Sequence, residues 1–529
     1  MSQVELMFQR YGPKYKWLVT LTMLLGLVAL GMSITIVNVA TPYIKGSLGL
    51  SDVQVQWIST GFLAATTVAL LVAPWLVRAF GQRATFVGLL ATFVVASIIG
   101  GLATSMAAIV AARVVQGAMT GLIRPLALDA MFSVFPAGER GMATAIYGMC
   151  LGLPLTLATV IGGWLVETFT WRYVFFVTPP MCLAAMVMGY LFLPTREETG
   201  PRPPFDWPGA VGLFACIFAL LTALSNGQRW GWDSLAVVGL VALSLLLGAG
   251  FVWWQRRTAF PLLDLGIFRH RAFVAGCLAI FVFGGAFYAI MYLLPLFSQG
   301  VLHFRPVTTG LLFLPSTLVL AVLVPIVGRL SDRYPAHYMT LPGLAFAIFA
   351  VYLFSLSDAY TSFFYLALAL TLMSMGMASF PPPTLSGAIG SLPPALTGYG
   401  SGVINFMLQM GGAFGTAALV LMMDRRITWH GSHISTAVTP GNDTAMATTD
   451  HWRDLLAGTG VPDAWQTTAA LQKLGATEQF WATIMAYQDG FWLVMVSLTF
   501  VVIPAWLLSR WSRTPQHATD CPDTDLLHG

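Results

Sequence analysis

Charged residues are scarce in this chain of 529 residues. Lys, Arg, Asp and Glu make up 9% of it, as 26 basic and 22 acidic residues, whereas soluble globular proteins are about 25% charged. Hydrophobic residues account for 57%. So few charges do not cover the surface of a soluble protein of this size. This excludes a soluble enzyme, a nucleic-acid-binding protein and a disordered chain, and it indicates a polytopic membrane protein.

Cysteine is also rare. The chain has five cysteines, and no pair of them has the spacing of a metal or redox site. A disulfide framework and a zinc site are therefore not expected, and nothing in the sequence calls for a cofactor. Four of the five lie inside apolar stretches, namely Cys150, Cys182, Cys216 and Cys277.

Long apolar runs fill most of the chain. A membrane-spanning helix needs about 20 mostly apolar residues, and the runs are too continuous for the alternating strands of a membrane β-barrel. The first run is too long for the apolar core of a signal peptide, so we expect it to remain as the first spanning helix. Fourteen spans are predicted, near 17–41, 56–77, 84–104, 107–129, 142–165, 174–193, 207–226, 235–254, 272–298, 307–328, 339–357, 362–388, 399–423 and 489–509.

The basic residues of the short loops predict the orientation of these spans. With a cytoplasmic N-terminus, the inner side holds 16 Lys and Arg residues and the short outer loops hold 4. We therefore expect both termini in the cytoplasm. The four outer residues are Lys45, Arg172, Arg229 and Arg305.

Two polar linkers, near 194–204 and 255–271, divide the spans. The short basic loop 74–83 after helix 2 corresponds to loop 328–334 after helix 10 if helices 7 and 8 are inserted between two homologous halves. The predicted regions are an N-terminal six-helix bundle (1–194), a linker with helices 7 and 8 (195–256), a C-terminal six-helix bundle (257–510) and a cytoplasmic tail (511–529).

A long outer loop is predicted over about 424–488. Its three His residues are irregularly spaced, which argues against a metal site, and an amphipathic run covers 465–480. We expect a solvated loop with a short surface helix. The alternative is a docking surface for a periplasmic partner.

Helix 4 holds three charges within its predicted span, Arg113, Arg124 and Asp129. Charges at membrane depth are costly and are usually functional. Eleven residues separate the two Arg, so they lie on nearly the same helix face. There they either bind an anionic substrate group or modulate a proton site in a central cavity, or each is satisfied by polar groups of neighbouring helices. Asp129, near the inner end, is expected to pair with Arg78 or Arg83 as a conformational latch.

Two rival classes of membrane protein are disfavoured. A proton-pumping respiratory subunit needs Lys, Glu and His residues in a line across several spans, and the predicted spans contain none of these residue types. A channel is expected to have repeated short pore motifs, which the chain does not show.

Several short motifs then identify a family. Helix 1 contains Thr-Ile-Val-Asn-Val-Ala-Thr-Pro over 35–42, and helix 4 contains Arg-Val-Val-Gln-Gly over 113–117. Helix 5 ends near Gly162-Gly163, and Phe-Asp-Trp-Pro-Gly opens helix 7 at 205–209. Helix 13 contains Gly-Ser-Gly from 400, followed by Asn405 and Gln409. In this order and spacing, from about 17 to 510, the chain resembles the major facilitator superfamily, in its fourteen-helix drug:proton antiporter branch of EmrB-type multidrug exporters.

The resemblance implies an all-α polytopic membrane protein with the major facilitator fold, as two six-helix bundles plus two inserted helices. It implies a non-enzymatic, proton-driven exporter of amphiphilic small molecules that works by alternating access in the bacterial inner membrane. EmrB-type exporters act with a periplasmic adaptor and an outer-membrane channel, so EmrA/TolC-like partners are implied.

The same resemblance and the charge positions define candidate site residues. The substrate and proton pathway is expected to include Ser33, Asn38, Arg113, Gln116, Arg124, Asn405 and Gln409. Conformational gating is expected to involve Arg78, Gly81, Arg83, Asp129, Gly162, Gly163, Asp332 and Arg333.

Three departures from the family pattern bear on function. Met32-Ser33 stands where the family has Leu-Asp, Arg78 where the superfamily has Asp, and Ala158-Thr159 where the antiporter motif has Gly-Pro. The departure at Met32-Ser33 weakens the expectation of proton coupling. The departure at Ala158-Thr159 weakens the expectation of export. An importer on the same fold and a coupling-deficient sensor or scaffold therefore stay open. With two candidate cationic groups and no central acid, the cavity favours an anionic amphiphile, such as a fatty acid or siderophore, over a lipophilic cation.

Overall fold

The computed structural model describes residues 3–50, 52–136, 139–195, 204–333, 337–393, 396–437, 443–457 and 462–511. These residues form sixteen α-helices joined by turns and short 3-10 segments, with no strand among them. The helices are α1 (Gln3–Tyr11), α2 (Tyr15–Leu48), α3 (Asp52–Leu102), α4 (Met106–Val134), α5 (Arg140–Thr168), α6 (Thr178–Phe192), α7 (Trp207–Trp230), α8 (Leu235–Gln255), α9 (Arg271–Gly300), α10 (Pro306–Arg333), α11 (His337–Ser355), α12 (Phe363–Ser379), α13 (Pro381–Gly390), α14 (Thr397–Ala437), α15 (Asp443–Ala457) and α16 (Asp463–Trp511).

Most of the helices are long and apolar, as expected for a chain whose backbone must be hydrogen-bonded internally within lipid. Twelve stretches of the described residues are long and apolar enough to cross a membrane, which fits a multi-pass membrane protein. Thirteen of the fourteen predicted spans fall largely within one helix, two of them in α3, and span 362–388 is divided between α12 and α13. The number of fourteen spans stays a prediction.

The loop predicted over 74–83 is reduced to a break in the helix. Two helical segments of α3 meet at Gly81, whose φ of 81° and ψ of 166° are not helical. A side chain at that backbone conformation is strained, whereas glycine adopts it readily. Gly81 therefore forms a sharp break between two spanning segments without a connecting loop.

The long loop predicted over 424–488 is also largely wrong. Helix α14 continues to Ala437, α15 follows, and α16 begins at Asp463, so the amphipathic run 465–480 is the first part of a long helix. Both α14 and α16 extend beyond their apolar segments. An ion pair joins these two helices. Asp489 of α16 accepts from Arg426 Nε at 3.1 Å and contacts His430 Nε2 at 2.8 Å, both on α14.

The bundle has two seams where its N-terminal helices meet its C-terminal helices. Helix α3 packs against α14, and α5 packs against α10. Helices α7 and α8 pack on each other, and α7 also contacts α3 and α14, so it lies beside the first seam only. The regional boundaries at 194, 256 and 510 stay predictions.

Close helix crossings in the C-terminal helices depend on glycine. A Cβ at Gly411 of α14 would overlap the Phe281 carbonyl of α9, and a Cβ at Gly415 would overlap the backbone of Gly285. Small residues allow this backbone approach between membrane helices.

We expect Gly411→Ala to lower stability by about 1–3 kcal/mol, because α9 and α14 must separate to admit the methyl group. Gly212→Ala is the matched control, since a Cβ there has no neighbour within 4 Å and alanine favours helix. The thermal unfolding midpoint of the purified protein measures the effect. Equal midpoints for the two variants would contradict this account of the crossing.

Candidate functional site

A cavity of about 200 Å³ lies between the two groups of helices. Its walls come from α2 to α5 on one side and from α9, α10, α12, α13 and α14 on the other. Most lining side chains are apolar, and adaptable or aromatic side chains suit varied ligands. Aromatic and Met residues of the wall include Phe62, Phe283, Phe287, Met291, Phe313, Met373 and Met377.

Arg124 is the one charged side chain among the described residues that line this cavity. It is 7% exposed, and its Nη1 donates to Gln409 Oε1 at 3.1 Å. The Tyr288 hydroxyl donates to the same oxygen at 3.3 Å. A buried guanidinium therefore faces an apolar cavity with a neutral amide as its partner across the bundle.

A second polar contact crosses the cavity beside the first. The Tyr147 hydroxyl of α5 donates to Asn405 Oδ1 of α14 at 2.7 Å. Asn405 also donates from Nδ2 to the Ser401 carbonyl at 2.9 Å, which fixes its orientation. Asn405 and Gln409 lie one helical turn apart on α14, so a single helix face accepts hydrogen bonds from both α4 and α5.

Arg113 lies outside this cavity, in the interior of the N-terminal helices. It is 1% exposed. Its Nη1 donates to the Ser33 carbonyl at 3.0 Å, to Ser33 Oγ at 2.9 Å and to Gln116 Oε1 at 3.1 Å. Its Nε donates to the Ile58 carbonyl at 3.4 Å, and its guanidinium lies 4.0 Å from the centre of the Phe62 ring. The structure thus separates the two arginines, although they share a helix face.

The network around Arg113 contains the expected residues Ser33 and Gln116. Gln116 donates in turn from Nε2 to Ser97 Oγ at 2.8 Å. Ser33 occupies the position of the family's acid on the first spanning helix, and here its hydroxyl and carbonyl accept from the guanidinium. This arrangement holds α2, α3 and α4 together through neutral acceptors.

Arg78 joins the two groups of helices at the α3–α14 seam. Its Nη1 donates to the Tyr399 hydroxyl at 2.9 Å, and its guanidinium lies 4.4 Å from the centre of that ring. Cation–π contacts of this kind contribute roughly 0.5–2 kcal/mol. Arg78 therefore helps to close this end of the seam.

The expected pairing of Asp129 with Arg78 or Arg83 stays a prediction. Arg83 Nε donates to the Leu193 carbonyl at 2.7 Å, at the end of α6. Asp129 Oδ2 lies 3.5 Å from Gln82 Nε2. Consecutive positions of a helix point about 100° apart, so Gln82 faces Asp129 while Arg83 faces the end of α6.

The remaining gating candidates have different surroundings. A Cβ at Gly162 would lie 2.9 Å from Ile36 Cγ1 of α2, so Gly162 marks a close crossing, whereas a Cβ at Gly163 would have no neighbour within 4 Å. Asn38 lies on α2, and Asp332 and Arg333 lie on α10. The side chains of these three residues lie outside the described part of the structure.

Sequence reasoning missed Tyr147 and Tyr288. Their signal was a phenolic hydroxyl inside an apolar span, where a buried Tyr usually finds a hydrogen-bond partner. The partners are 258 and 121 positions away in the chain, so no local pattern points to them.

Comparison with known proteins identifies the family. The sequence profile of the Major Facilitator Superfamily matches residues 23–416. The chain belongs to the Major Facilitator Superfamily. It is therefore a membrane transport protein rather than an enzyme, acting on small molecules, and the predicted family and all-helical fold are confirmed.

The relatives include drug-resistance and export proteins of the superfamily. The tetracenomycin C resistance and export protein of Streptomyces glaucescens is 32% identical over 412 residues, covering 78% of this chain and 76% of the relative. The multidrug export protein EmrB of Haemophilus influenzae is 27% identical over 482 residues, covering 89% and 93%. The solved structure of the proton:xylose symporter XylE superposes with a TM-score of 0.56 at 14% identity, covering 92% and 95%, which supports the fold alone.

Proposed function

We propose that this superfamily member is a proton-driven exporter of amphiphilic small molecules, with a preference for anionic ones. Its similarity to export proteins over most of both chains supports the direction. The observation on which the anionic preference rests is the single guanidinium that faces the apolar cavity, Arg124.

The electrostatics of the cavity support an anionic ligand group. A cation placed beside Arg124 would be repelled in a poorly solvated site, whereas a carboxylate, sulfonate or phosphate would replace the neutral Gln409 oxygen as a partner. Charge-assisted hydrogen bonds are roughly twice as strong as neutral ones. The apolar and Met-rich walls would receive the hydrocarbon part of the molecule.

The polar contacts across the cavity support alternating access. The Arg124–Gln409 and Tyr147–Asn405 hydrogen bonds each join an N-terminal helix to α14. A substrate that takes over one partner of each bond would release the two groups of helices from each other. Binding would then be coupled directly to the movement that exposes the cavity to the other side.

The charge distribution and the relatives support a proposal for the location and the partners. We propose the bacterial inner membrane, with both termini in the cytoplasm, because of the excess of basic residues in the inner short loops. The extensions of α14 and α16 beyond the apolar spans, together with α15, would then face the periplasm. They are the surface on which a periplasmic adaptor of the kind that serves EmrB-type exporters would dock.

Direction-resolved flux tests this proposal. Inside-out and right-side-out vesicles that contain equal amounts of the protein are prepared. A proton gradient is imposed across the membrane, and the uptake of naphthalenesulfonate, a permanent anion, is then followed. We expect accumulation in inside-out vesicles, abolished by a protonophore. Accumulation in right-side-out vesicles would identify an importer, and uptake equal to that of protein-free vesicles would identify a sensor or scaffold.

A further inference from the structure

A second pocket, of about 360 Å³, lies beside the central cavity. Its walls come from α3, α7, α9 and α14. The two cavities share three lining residues, Leu63, Tyr288 and Gln409. The hydrogen bond from the Tyr288 hydroxyl to Gln409 Oε1 therefore stands at the boundary between them.

The position of this lateral pocket depends on α7. Helix α7 contacts α3 and α14 and so lies beside the seam between the two groups of helices. The lining residues of α7 lie in its C-terminal half, from Leu221 onwards, together with Trp232 just beyond it. The opposite seam, between α5 and α10, has no such helix among its described contacts. One wall of the pocket thus comes from α7, one of the two helices predicted to be inserted between the six-helix halves.

The chemistry of the lateral pocket differs from that of the central cavity. Its described lining combines aliphatic, aromatic and neutral polar residues and contains no charged one, whereas the central cavity contains Arg124. Trp232 donates from Nε1 to Gln228 Oε1 at 3.1 Å, and it packs on Gly227, where a Cβ would lie 2.7 Å from the indole ring. Tyr292 is 43% exposed, and its ring is available to a ligand.

We propose that the lateral pocket is a second substrate site on the transport route, specific for the uncharged aromatic part of an amphiphile. The aromatic body stacks near Trp232 and Tyr292 and hydrogen-bonds to neutral groups such as Gln228 and Thr416. Separation of Tyr288 from Gln409 then joins this pocket to the central cavity, where Arg124 binds the anionic group. The transport role rests on the proposed function, whereas binding in the pocket can be measured without it.

Filling the pocket tests the transport role. Ala417 lines the pocket, and Ala418 beside it is exposed outside the pocket lining. We expect Ala417→Trp to lower naphthalenesulfonate transport at least tenfold while the equilibrium affinity of the purified protein for the same anion changes less than twofold. Ala418→Trp is the matched control and keeps wild-type transport. Wild-type transport by a folded Ala417→Trp variant would overturn the role of the pocket.

Thiol modification measures binding in the lateral pocket directly. It requires neither transport nor a folded Ala417→Trp variant. Thr416→Cys and the control Ala418→Cys are made in a background whose five native cysteines are replaced by Ser. We expect the uncharged probe naphthalenemethanol to slow modification of Thr416→Cys by N-ethylmaleimide at least threefold and to leave Ala418→Cys unaffected. Equal rates with and without the probe would refute the pocket as a binding site. If the probe protects Thr416→Cys but the wild-type protein does not transport the anion, the proposed function is refuted and the binding site is retained.

Discussion

Arg124→Gln is expected to lower the rate of transport of naphthalenesulfonate at least tenfold. A tenfold loss corresponds to about 1.4 kcal/mol, which is comparable to the roughly 1–1.5 kcal/mol by which a charge-assisted hydrogen bond exceeds a neutral one. The variant retains an amide that can hydrogen-bond to Gln409, so the contact across the cavity is kept while the charge is removed. Initial rates in proteoliposomes containing equal amounts of folded protein measure the effect.

Two controls separate charge from position. Arg124→Lys keeps the charge and is expected to retain part of the anion transport, with a weaker, single-point contact. Arg257→Gln removes one positive charge from an exposed side chain, whose guanidinium lies 4.5 Å from the Trp253 ring, and is expected to leave transport unchanged. An anion rate in Arg124→Gln equal to that of Arg257→Gln would show that the cavity charge does not select the substrate.

Arg113→Leu is expected to abolish accumulation of folded protein. Removing the guanidinium leaves the oxygens of Ser33, Gln116 and Ile58 without their buried donor. Each buried polar group left without a partner costs about 1–3 kcal/mol, so the loss is a large part of the stability of a typical domain of about 5–15 kcal/mol. The monodisperse fraction in size-exclusion chromatography after mild extraction measures the loss.

The conservative variant distinguishes this structural role from a substrate-binding role. Arg113→Lys keeps the charge but cannot reproduce the fork of donors, so it is expected to fold poorly as well. Ser33→Ala removes one hydroxyl acceptor and leaves the carbonyl, so it is expected to cost only about 1 kcal/mol. A stable Arg113→Leu protein that had lost anion transport alone would place Arg113 in the substrate pathway instead.

The sequence predicted those parts of the molecule that depend on local composition. Apolar runs located the spanning segments, and the scarcity of charge made Arg113 and Arg124 conspicuous. Helical geometry placed the two arginines on one face. It did not reveal that α2 and α3 cover one of them while the other faces the cavity.

What could not be predicted depends on contacts between distant segments. Gln409 lies 285 positions from Arg124, and Asn405 lies 258 from Tyr147. The continuation of α14 and α16 beyond the spans depends on their mutual packing and on the Arg426–Asp489 ion pair, not on apolarity. The lateral pocket needs α7 beside one seam, and no periodicity in the sequence indicates which seam it adjoins.

The central claim is that the charge of Arg124 makes the cavity selective for anionic amphiphiles. Its most direct test compares wild-type initial rates for naphthalenesulfonate and for naphthylmethyl-trimethylammonium, which carry similar rings and permanent charges of opposite sign. The membrane potential is clamped at zero with valinomycin and equal potassium on both sides, so that the rates report the site. We predict that the anion is transported at least tenfold faster. Equal rates, or faster transport of the cation, would contradict the claim.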